Sequence, residues 1–170
     1  MTEILWLGRG GQGAFTSAKL AGAAFASKGD GCFALAFPSF GPERRGAPVK
    51  AFTKLDSKPV LDRSETEKAD YTVILDETLF NENIKNALKA GGRIIINSEK
   101  DYGDNIISVN AVKIARECSL PVVNTVMLGA LGKISEKISR SDIIFAIQNY
   151  MPERLREKNI KAVIAASEGF

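Results

Sequence analysis

The 170-residue sequence contains no histidine and only two cysteines, and these absences exclude several kinds of site. Without histidine there is no Ser-His-Asp triad, and the commonest general base and transition-metal ligand is missing. Cys32 and Cys118 cannot supply the four thiolates of an iron–sulfur cluster, and they lack the C-x-x-C spacing of a zinc or thiol-redox site. We expect both cysteines to be small buried hydrophobic residues.

Long apolar runs and a concentrated charge of one sign are also missing. No stretch approaches the 18 apolar residues of a membrane-spanning helix, and the first residues lack the basic and apolar parts of a signal peptide. We therefore expect a cytoplasmic protein with no membrane partner. The net charge is only +3, and basic and acidic residues alternate, as in residues 153–158. This distribution argues against a nucleic-acid partner.

What is present is an alternation of short apolar runs with helical patterns. The 45% hydrophobic content is enough for one domain, residues 1–170, with a buried core. Strands are predicted at residues 4–7, 32–37, 48–55, 71–76, 93–97, 105–109 and 121–123. Helices are predicted at residues 12–28, 78–88, 111–118, 127–137, 141–150 and 153–166, with Gly91 and Gly92 ending the second and Ser141 capping the fifth. The pattern predicts an α/β fold with an open, mainly parallel sheet and helices on both faces.

Residues 8–13, Gly-Arg-Gly-Gly-Gln-Gly, lie between the first predicted strand and the first helix. This is the context of a Rossmann-like glycine loop, in which Gly8, Gly10 and Gly13 allow a tight turn and close approach of a ligand. The N–H groups and positive dipole at the start of the helix favour an anion such as a pyrophosphate. Gln12 and Thr16 add an amide and a hydroxyl. A tight strand-to-helix turn without a ligand is the alternative.

A complete dinucleotide site also needs an acidic residue at the end of the second strand, where it binds the ribose. Here the strand ends near Phe37, and the first acid after it is Glu43. A second motif, Gly29-Asp30-Gly31, matches the first triplet of the thiamine diphosphate signature, but no asparagine follows before Asn81. The triplet is typical of a turn. We therefore expect no thiamine diphosphate bound by this chain alone.

Residues 37–49 have the sequence FPSFGPERRGAPV. They contain Pro38 and Pro42, followed directly by the charged residues Glu43, Arg44 and Arg45. A rigid backbone around two guanidinium groups suits an interface, although a solvated surface loop is the simpler interpretation. GRGGQG, FGPERRGAPV and the later NTVMLGAL together resemble the gamma subunits of the 2-oxoacid:ferredoxin oxidoreductases, and the second motif is closest to the pyruvate branch. The resemblance extends over essentially the whole chain.

The resemblance implies a heteromeric enzyme that converts pyruvate, coenzyme A (CoA) and oxidised ferredoxin to acetyl-CoA, CO2 and reduced ferredoxin. It implies alpha, beta and delta subunits as partners, with thiamine diphosphate and Mg between alpha and beta and [4Fe-4S] clusters in beta and the ferredoxin-like delta. The gamma chain would bind no cofactor alone, be inactive alone, and lie near the CoA path. Glu43, Arg44 and Arg45 would then contact another subunit.

In that context we expect Gly10, Gly11, Gln12 and Gly13 to contact the phosphates or the pantetheine arm of CoA. Asn97, Asn124 and Thr125 follow predicted strands, where open α/β sheets place ligands, although turn formation and helix capping explain them equally well. We expect no catalytic residue and no metal ligand in this chain. Three alternatives stay open: an indolepyruvate or 2-oxoglutarate enzyme subunit, a free-standing NAD(P)-dependent protein, and a simple anion-binding or scaffold module.

Overall fold

The computed structural model describes residues 1–39, 46–103 and 105–169. Its strands are β1 (Thr2–Arg9), β2 (Phe33–Pro38), β3 (Pro48–Asp56), β4 (Ala69–Ile74), β5 (Leu88–Asn97) and β6 (Ile106–Val109). They form one sheet in the order β2-β3-β1-β4-β5-β6. The pairs β1–β4, β4–β5 and β5–β6 are parallel, while β3 is antiparallel to both β1 and β2. The predicted open, mainly parallel α/β sheet is confirmed.

The helices cover the two faces of the sheet unequally. They are α1 (Ala14–Ala26), α2 (Glu82–Asn86), α3 (Ala111–Glu117), α4 (Asn124–Ile134), α5 (Arg140–Tyr150) and α6 (Glu153–Glu168), with a 3-10 turn at Glu77–Leu79. The first face carries α1 and α3 to α6, whose apolar side chains join one large core cluster. The second face carries a smaller cluster, to which α2 contributes Ile84.

β1 is an inner strand of the sheet, and this explains why its apolar residues do not alternate with polar ones. Ile4 and Trp6 belong to the first cluster, whereas Leu5 and Leu7 belong to the second, and all four are buried. The Trp6 indole donates to Thr53 Oγ1 at 3.0 Å, and that hydroxyl donates to the Ala18 carbonyl at 2.9 Å. β1, β3 and α1, which include the two elements on either side of the glycine loop, are thereby joined by buried hydrogen bonds.

The prediction of one helix over residues 78–88, ended by the glycine pair, is wrong. Asn81 is extended, and its side chain accepts from the Asn83 N–H, so that α2 begins only at Glu82. Residue 88 already belongs to β5, which is drawn into the sheet by pairing with Ala69. Gly92 lies at a register shift inside β5, where a Cβ would meet the Ala69 carbonyl at 3.0 Å. Gly92 therefore allows a close strand approach, and neither glycine ends a helix.

Two further predictions are corrected nearer the C-terminus. Residues 121–123 form no strand, because the chain turns there directly into α4. The cap of α5 is Ser139, two residues before the predicted Ser141: its hydroxyl accepts from the Asp142 N–H, while the Asp142 carboxylate accepts from the Ser139 N–H. This capping box satisfies two N–H groups at once, which a cap at Ser141 would not do.

On the second face, residues 57–68 cross the sheet and are held by a buried ammonium group. Lys54 is 1% exposed, and its Nζ lies 2.6 Å from Asp62 and 3.6 Å from Glu3. Lys89 extends the network to Asp70 at 2.7 Å. Next to this segment is an open cavity of about 880 Å³, lined by residues that include Leu5, Leu7, Thr66 and Ile84.

Candidate functional site at the carboxyl edge of the sheet

The glycine loop follows β1 and leads into α1, as the sequence predicts. Gly11 and Gly13 have φ of 95° and 82°, a region that glycine enters without steric cost. Gly13 is the N-cap of α1, where it has no side chain to accept from the first turn. The N–H groups of the first turn have no intrahelical acceptor, and within the described parts of the chain they find none elsewhere. The loop therefore offers several N–H donors at the positive end of a helix.

Two of the predicted residues, Gly13 and Asn124, are in contact at this loop. Asn124 is buried, and its Nδ2 donates to the Gly13 carbonyl at 3.3 Å. The Asn124 carbonyl in turn accepts from the Ser17 hydroxyl at 3.0 Å. Thr16 lies one turn into α1 and is exposed. Asn124 thus supports the loop from behind, while Thr16 and the exposed Gly11 face solvent.

Asn97 and Thr125 are engaged elsewhere in the fold. Asn97 donates to the Leu75 carbonyl at 3.0 Å and accepts from the Ala111 N–H at 3.1 Å, so it links β4 to the start of α3. Thr125 is fully buried, and its hydroxyl donates to Asn159 at 2.6 Å. Neither side chain contacts the glycine loop in a described hydrogen bond. Thr125 is the second residue of α4 and does not follow a strand, so the reason for which it was predicted does not apply.

The crevice between β1 and β4 contains a salt bridge that the sequence did not reveal. After β1 the chain crosses to β2 on one side, and after β4 it continues to β5 on the other. Such a reversal is where open α/β sheets bind ligands. Arg9 and Asp76 meet there, with Arg9 Nε donating to Asp76 Oδ2 at 3.0 Å. The ends of β1 and β4 are therefore joined at this point by the chain's own side chains.

The charge of Asp76 is held by several donors. Partial burial raises its pKa, but the Thr78 hydroxyl and N–H and the Arg9 guanidinium outweigh that effect, and the pKa of Asp76 lies below its ordinary value. Gln12 Nε2 approaches the same carboxylate at 3.4 Å, while its Oε1 accepts from the Arg9 N–H at 2.8 Å. Gln12 thus bonds back to Arg9 within the glycine loop, and it connects the loop to Asp76 after β4.

A polar cleft of about 820 Å³ extends from Gln12 across the ends of β4, β5 and β6. Glu77 lies in it and accepts from Ser98, from Lys100 at 3.2 Å and from the Tyr102 hydroxyl at 3.2 Å. The Ser98 and Lys100 hydrogen bonds, in that order, lower the pKa of Glu77. The cleft therefore carries a carboxylate that stays ionised at neutral pH, and sequence reasoning did not single it out.

Other predictions of the sequence are placed as follows. Cys32 and Cys118 are free thiols, half-buried against the first core cluster. In residues 1–39, 46–103 and 105–169 no group of three His, Cys, Asp or Glu could hold a metal ion. No helix of the same residues is both long and apolar enough to cross a bilayer. Glu43, Arg44 and Arg45 lie outside the described residues.

The described part of the chain has no acidic residue between β2 and β3, although the Glu65 carboxylate accepts from the Ser39 hydroxyl beside the end of β2. β2 ends at Pro38, and Ser39 follows it with its N–H bonded to the Lys50 carbonyl at 2.9 Å. Asp30 lies in the turn before β2, as the sequence indicates. In the described residues the glycine loop therefore has uncapped N–H groups at the start of α1, without the acid that the dinucleotide motif places directly after the second strand.

These features define a class of protein: an open α/β domain with a glycine loop after the first strand and a salt bridge, Arg9–Asp76, that joins this loop to the end of the neighbouring strand. The chain belongs to the pyruvate ferredoxin/flavodoxin oxidoreductase family, whose sequence model matches residues 3–169. It is 43% identical over 174 residues to pyruvate synthase subunit PorC of Methanothermobacter thermautotrophicus, covering 99% of this chain and 95% of that one.

Two further comparisons agree. The chain is 40% identical over 183 residues to the "Pyruvate/ketoisovalerate oxidoreductases common subunit gamma" of Thermococcus kodakarensis, covering 100% of this chain and 96% of the relative. The crystal structure of pyruvate oxidoreductase subunit PORC from Thermotoga maritima superposes with a TM-score of 0.83 at 31% identity, covering 98% and 95% of the two chains. The family resemblance stated from the motifs is confirmed.

Proposed function

We propose that this chain is the gamma subunit of a pyruvate:ferredoxin oxidoreductase, which forms acetyl-CoA and CO2 from pyruvate and CoA while reducing ferredoxin. The observation that carries the proposal is the similarity to pyruvate synthase subunit PorC over nearly the full length of both chains. Thiamine diphosphate, Mg²⁺ and the [4Fe-4S] clusters are assigned to the alpha, beta and delta partners, since two separate cysteines cannot ligate a cluster.

The role proposed for the chain itself is to complete the CoA site. The glycine loop supports this role because the first turn of α1 has no side-chain cap, and Gly11 and Thr16 next to it are exposed. Gly8, Gly10, Gly11, Gln12, Gly13 and Thr16 are the residues proposed to lie along CoA. Asn124 supports Gly13 from within, whereas Asn97 and Thr125 would act through the fold.

Affinity purification under anaerobic conditions tests the assignment to a complex. The tagged chain is recovered from its own cells, and the co-purifying proteins are identified by mass spectrometry. We expect a thiamine-binding chain and a cysteine-rich, ferredoxin-like chain, together with CoA-dependent oxidation of pyruvate. Recovery of the chain alone, with binding of NAD, would instead favour a dinucleotide-binding protein.

A second assignment is favoured by the Thermococcus relative, whose name describes a gamma subunit common to two oxidoreductases. Under this proposal the same chain serves a pyruvate enzyme and a branched-chain 2-oxoacid enzyme. The same purification separates the two assignments. One set of partner chains indicates a dedicated subunit, whereas two sets, active on pyruvate and on ketoisovalerate, indicate a shared one.

Thr16 allows a sharp test of the CoA contact. It is the third residue of α1, where an aspartate is favourable for the helix dipole, yet its negative charge would repel a phosphate. In the assembled enzyme we expect Thr16→Asp to raise the KM for CoA roughly tenfold and to leave the KM for pyruvate unchanged. Thr16→Asn is the matched neutral control. Equal CoA kinetics in both variants would count against the proposed site.

A further inference from the structure

Arg9 is the residue through which the glycine loop contacts its surroundings. Its Nη1 donates to the Gly46 carbonyl at 3.1 Å, and its Nη2 donates to the Thr78 hydroxyl at 2.7 Å. Nε donates to Asp76, so each guanidinium nitrogen has a different acceptor. A single side chain therefore joins the end of β1, the end of β4 and the segment that leads into β3. The planar fork of arginine can hold three acceptors in fixed directions, which an ammonium group cannot do.

The backbone adds a second connection at the same place. The Gly10 N–H donates to the Ala47 carbonyl at 2.8 Å, and the Gly46 N–H donates to the Gly10 carbonyl at 3.2 Å. These two bonds continue the β1–β3 pairing beyond Pro48, which has no N–H of its own. The first half of the glycine loop and residues 46–47 are thus one connected piece of structure.

The acceptor that anchors Arg9 is itself fixed. Asp76 Oδ1 accepts from the Thr78 N–H at 3.0 Å and from the Thr78 hydroxyl at 2.6 Å, while Oδ2 faces Arg9. Asp76 has one-fifth of its side chain exposed and Arg9 one-third. A salt bridge with this partial burial and several hydrogen bonds is stronger than an isolated surface pair.

We propose that Arg9 is a positioning residue, which holds the glycine loop and residues 46–47 as one rigid element, and that the CoA affinity of the assembled enzyme depends on this connection. This inference rests on the proposed function, because it takes the glycine loop as the CoA site. Arg9 would act through the loop: with three of its five N–H donors bonded to the chain, it fixes the direction in which the N–H groups of Gly11 and Gly13 point.

The test uses the chain co-expressed with its partner subunits, with Arg9→Ala and Arg9→Lys compared. Arg93→Ala is the matched control, since Arg93 is exposed and lies in β5 away from the loop. We expect Arg9→Ala to raise the KM for CoA roughly tenfold, with the KM for pyruvate unchanged. Arg9→Lys should restore only part of the affinity, because it keeps the charge but not the fork.

Amide hydrogen exchange provides a readout that does not depend on turnover. In Arg9→Ala the N–H groups of Gly10 and Gly46 should exchange at least tenfold faster, while those of Ile4 and Trp6 in the middle of β1 keep their protection. This combination separates a local loss of connection from general destabilisation. Faster exchange throughout β1, or full rescue of the CoA KM by Arg9→Lys, would overturn the positioning role.

The Thr16 variant distinguishes failure of this inference from failure of the proposed function. If Thr16→Asp raises the KM for CoA and Arg9→Ala does not, the loop binds CoA but Arg9 does not position it, and the inference is overturned. If neither variant changes the KM for CoA, the CoA site itself is overturned, and the inference with it. If both variants raise the KM for CoA, and Arg9→Ala speeds amide exchange only locally at Gly10 and Gly46, the inference and the proposed function are both supported.

Discussion

Gly13 and Asn124 are packed so closely that a side chain at residue 13 would have no room. A Cβ built on Gly13 lies 2.6 Å from Asn124 Nδ2, and that nitrogen donates to the Gly13 carbonyl. The two residues are 111 positions apart in the sequence. The first residue of α4 therefore supports the end of the glycine loop, and the NTVMLGAL motif and the GRGGQG motif meet in space.

Gly13→Ala should consequently destabilise the chain more than Gly11→Ala. Both glycines have positive φ, which costs an alanine about 1–2 kcal/mol. Only Gly13 adds a steric conflict, whereas a Cβ at Gly11 meets nothing within 4 Å. We expect a loss of about 3 kcal/mol in the free energy of unfolding for Gly13→Ala and about 1 kcal/mol for Gly11→Ala. Denaturant unfolding measures both, and equal losses would show that Asn124 yields without cost.

The capping box of α5 gives a second prediction. Ser139→Ala removes the acceptor for the Asp142 N–H and should lower the free energy of unfolding by about 1 kcal/mol. Ser141→Ala is the control, because the described hydrogen bond of the Ser141 side chain is to the Ser139 hydroxyl, at 2.8 Å, and not to a backbone N–H of the helix. The loss in the free energy of unfolding for Ser141→Ala should be less than half of that for Ser139→Ala. Thermal unfolding of the two variants under identical conditions provides the comparison, and the reverse order would place the cap at Ser141 after all.

The sheet was predictable because its central strands are apolar on both faces and are separated by helical patterns. Local signals failed where distant contacts decide the structure. Residues 87 and 88 continue a helical pattern, yet the Ala87 carbonyl accepts from the Ala69 N–H at 2.8 Å, and the chain joins the sheet. A short helix gains little from propensity alone, so tertiary pairing prevails.

The candidate site was predictable only in its local part. The glycine loop, its turn and its helix follow from six neighbouring residues. The Arg9–Asp76 pair could not be predicted in this way, since the two residues are separated by 67 positions and each is an ordinary charged residue in the sequence. Asn124 was singled out for the wrong reason, as the residue after a strand, although it does reach the loop from the start of α4.

The crossing of α4 and α6 depends on a glycine. A Cβ at Gly129 would lie 2.8 Å from both Val163 Cα and the Val163 carbonyl oxygen, and these backbone atoms cannot move aside. At Gly132 the nearest atom is the end of the Ile143 side chain, at 2.4 Å. We expect Gly129→Ala to cost about 3 kcal/mol. Gly132→Ala should cost less than Gly129→Ala, because it conflicts with the end of one side chain instead of with backbone, and because alanine favours the helix. Urea unfolding distinguishes them.

The contact between Lys54 and Asp62 predicts a pH dependence. The Lys54 ammonium and the Ser64 N–H and hydroxyl hold the pKa of Asp62 well below its ordinary value. Because the pKa is lower in the folded chain, the contact stabilises the fold above the unfolded-state pKa of about 4, and this contribution is lost as the pH falls through the folded-state value.

The parent chain should therefore be more stable than Asp62→Asn at pH 7, and the difference should shrink below about pH 4. Urea unfolding over a pH series measures it, with Asp30→Asn, in the exposed turn before β2, as the matched control. A difference that stays constant down to low pH would contradict an ionic role for Asp62.

Thr72 and Thr53 provide opposite predictions for the same substitution. Both are fully buried in the sheet. Among the side chains that the structure describes, the Thr72 hydroxyl is the buried polar group without a hydrogen-bond partner. Thr72→Val keeps the shape and removes that unsatisfied group, so it should stabilise the chain by about 1 kcal/mol.

Thr53→Val should do the reverse. The Thr53 hydroxyl accepts from the Trp6 indole and donates to the Ala18 carbonyl, so its removal leaves a buried donor and a buried acceptor unpaired. A loss of about 2 kcal/mol follows from the desolvation cost of such groups. Guanidinium unfolding of the two variants side by side should give a higher free energy of unfolding than the parent chain for Thr72→Val and a lower one for Thr53→Val. If Thr72→Val also destabilised, its hydroxyl would have to possess a partner, and the second face of the sheet would be more polar than its side chains indicate.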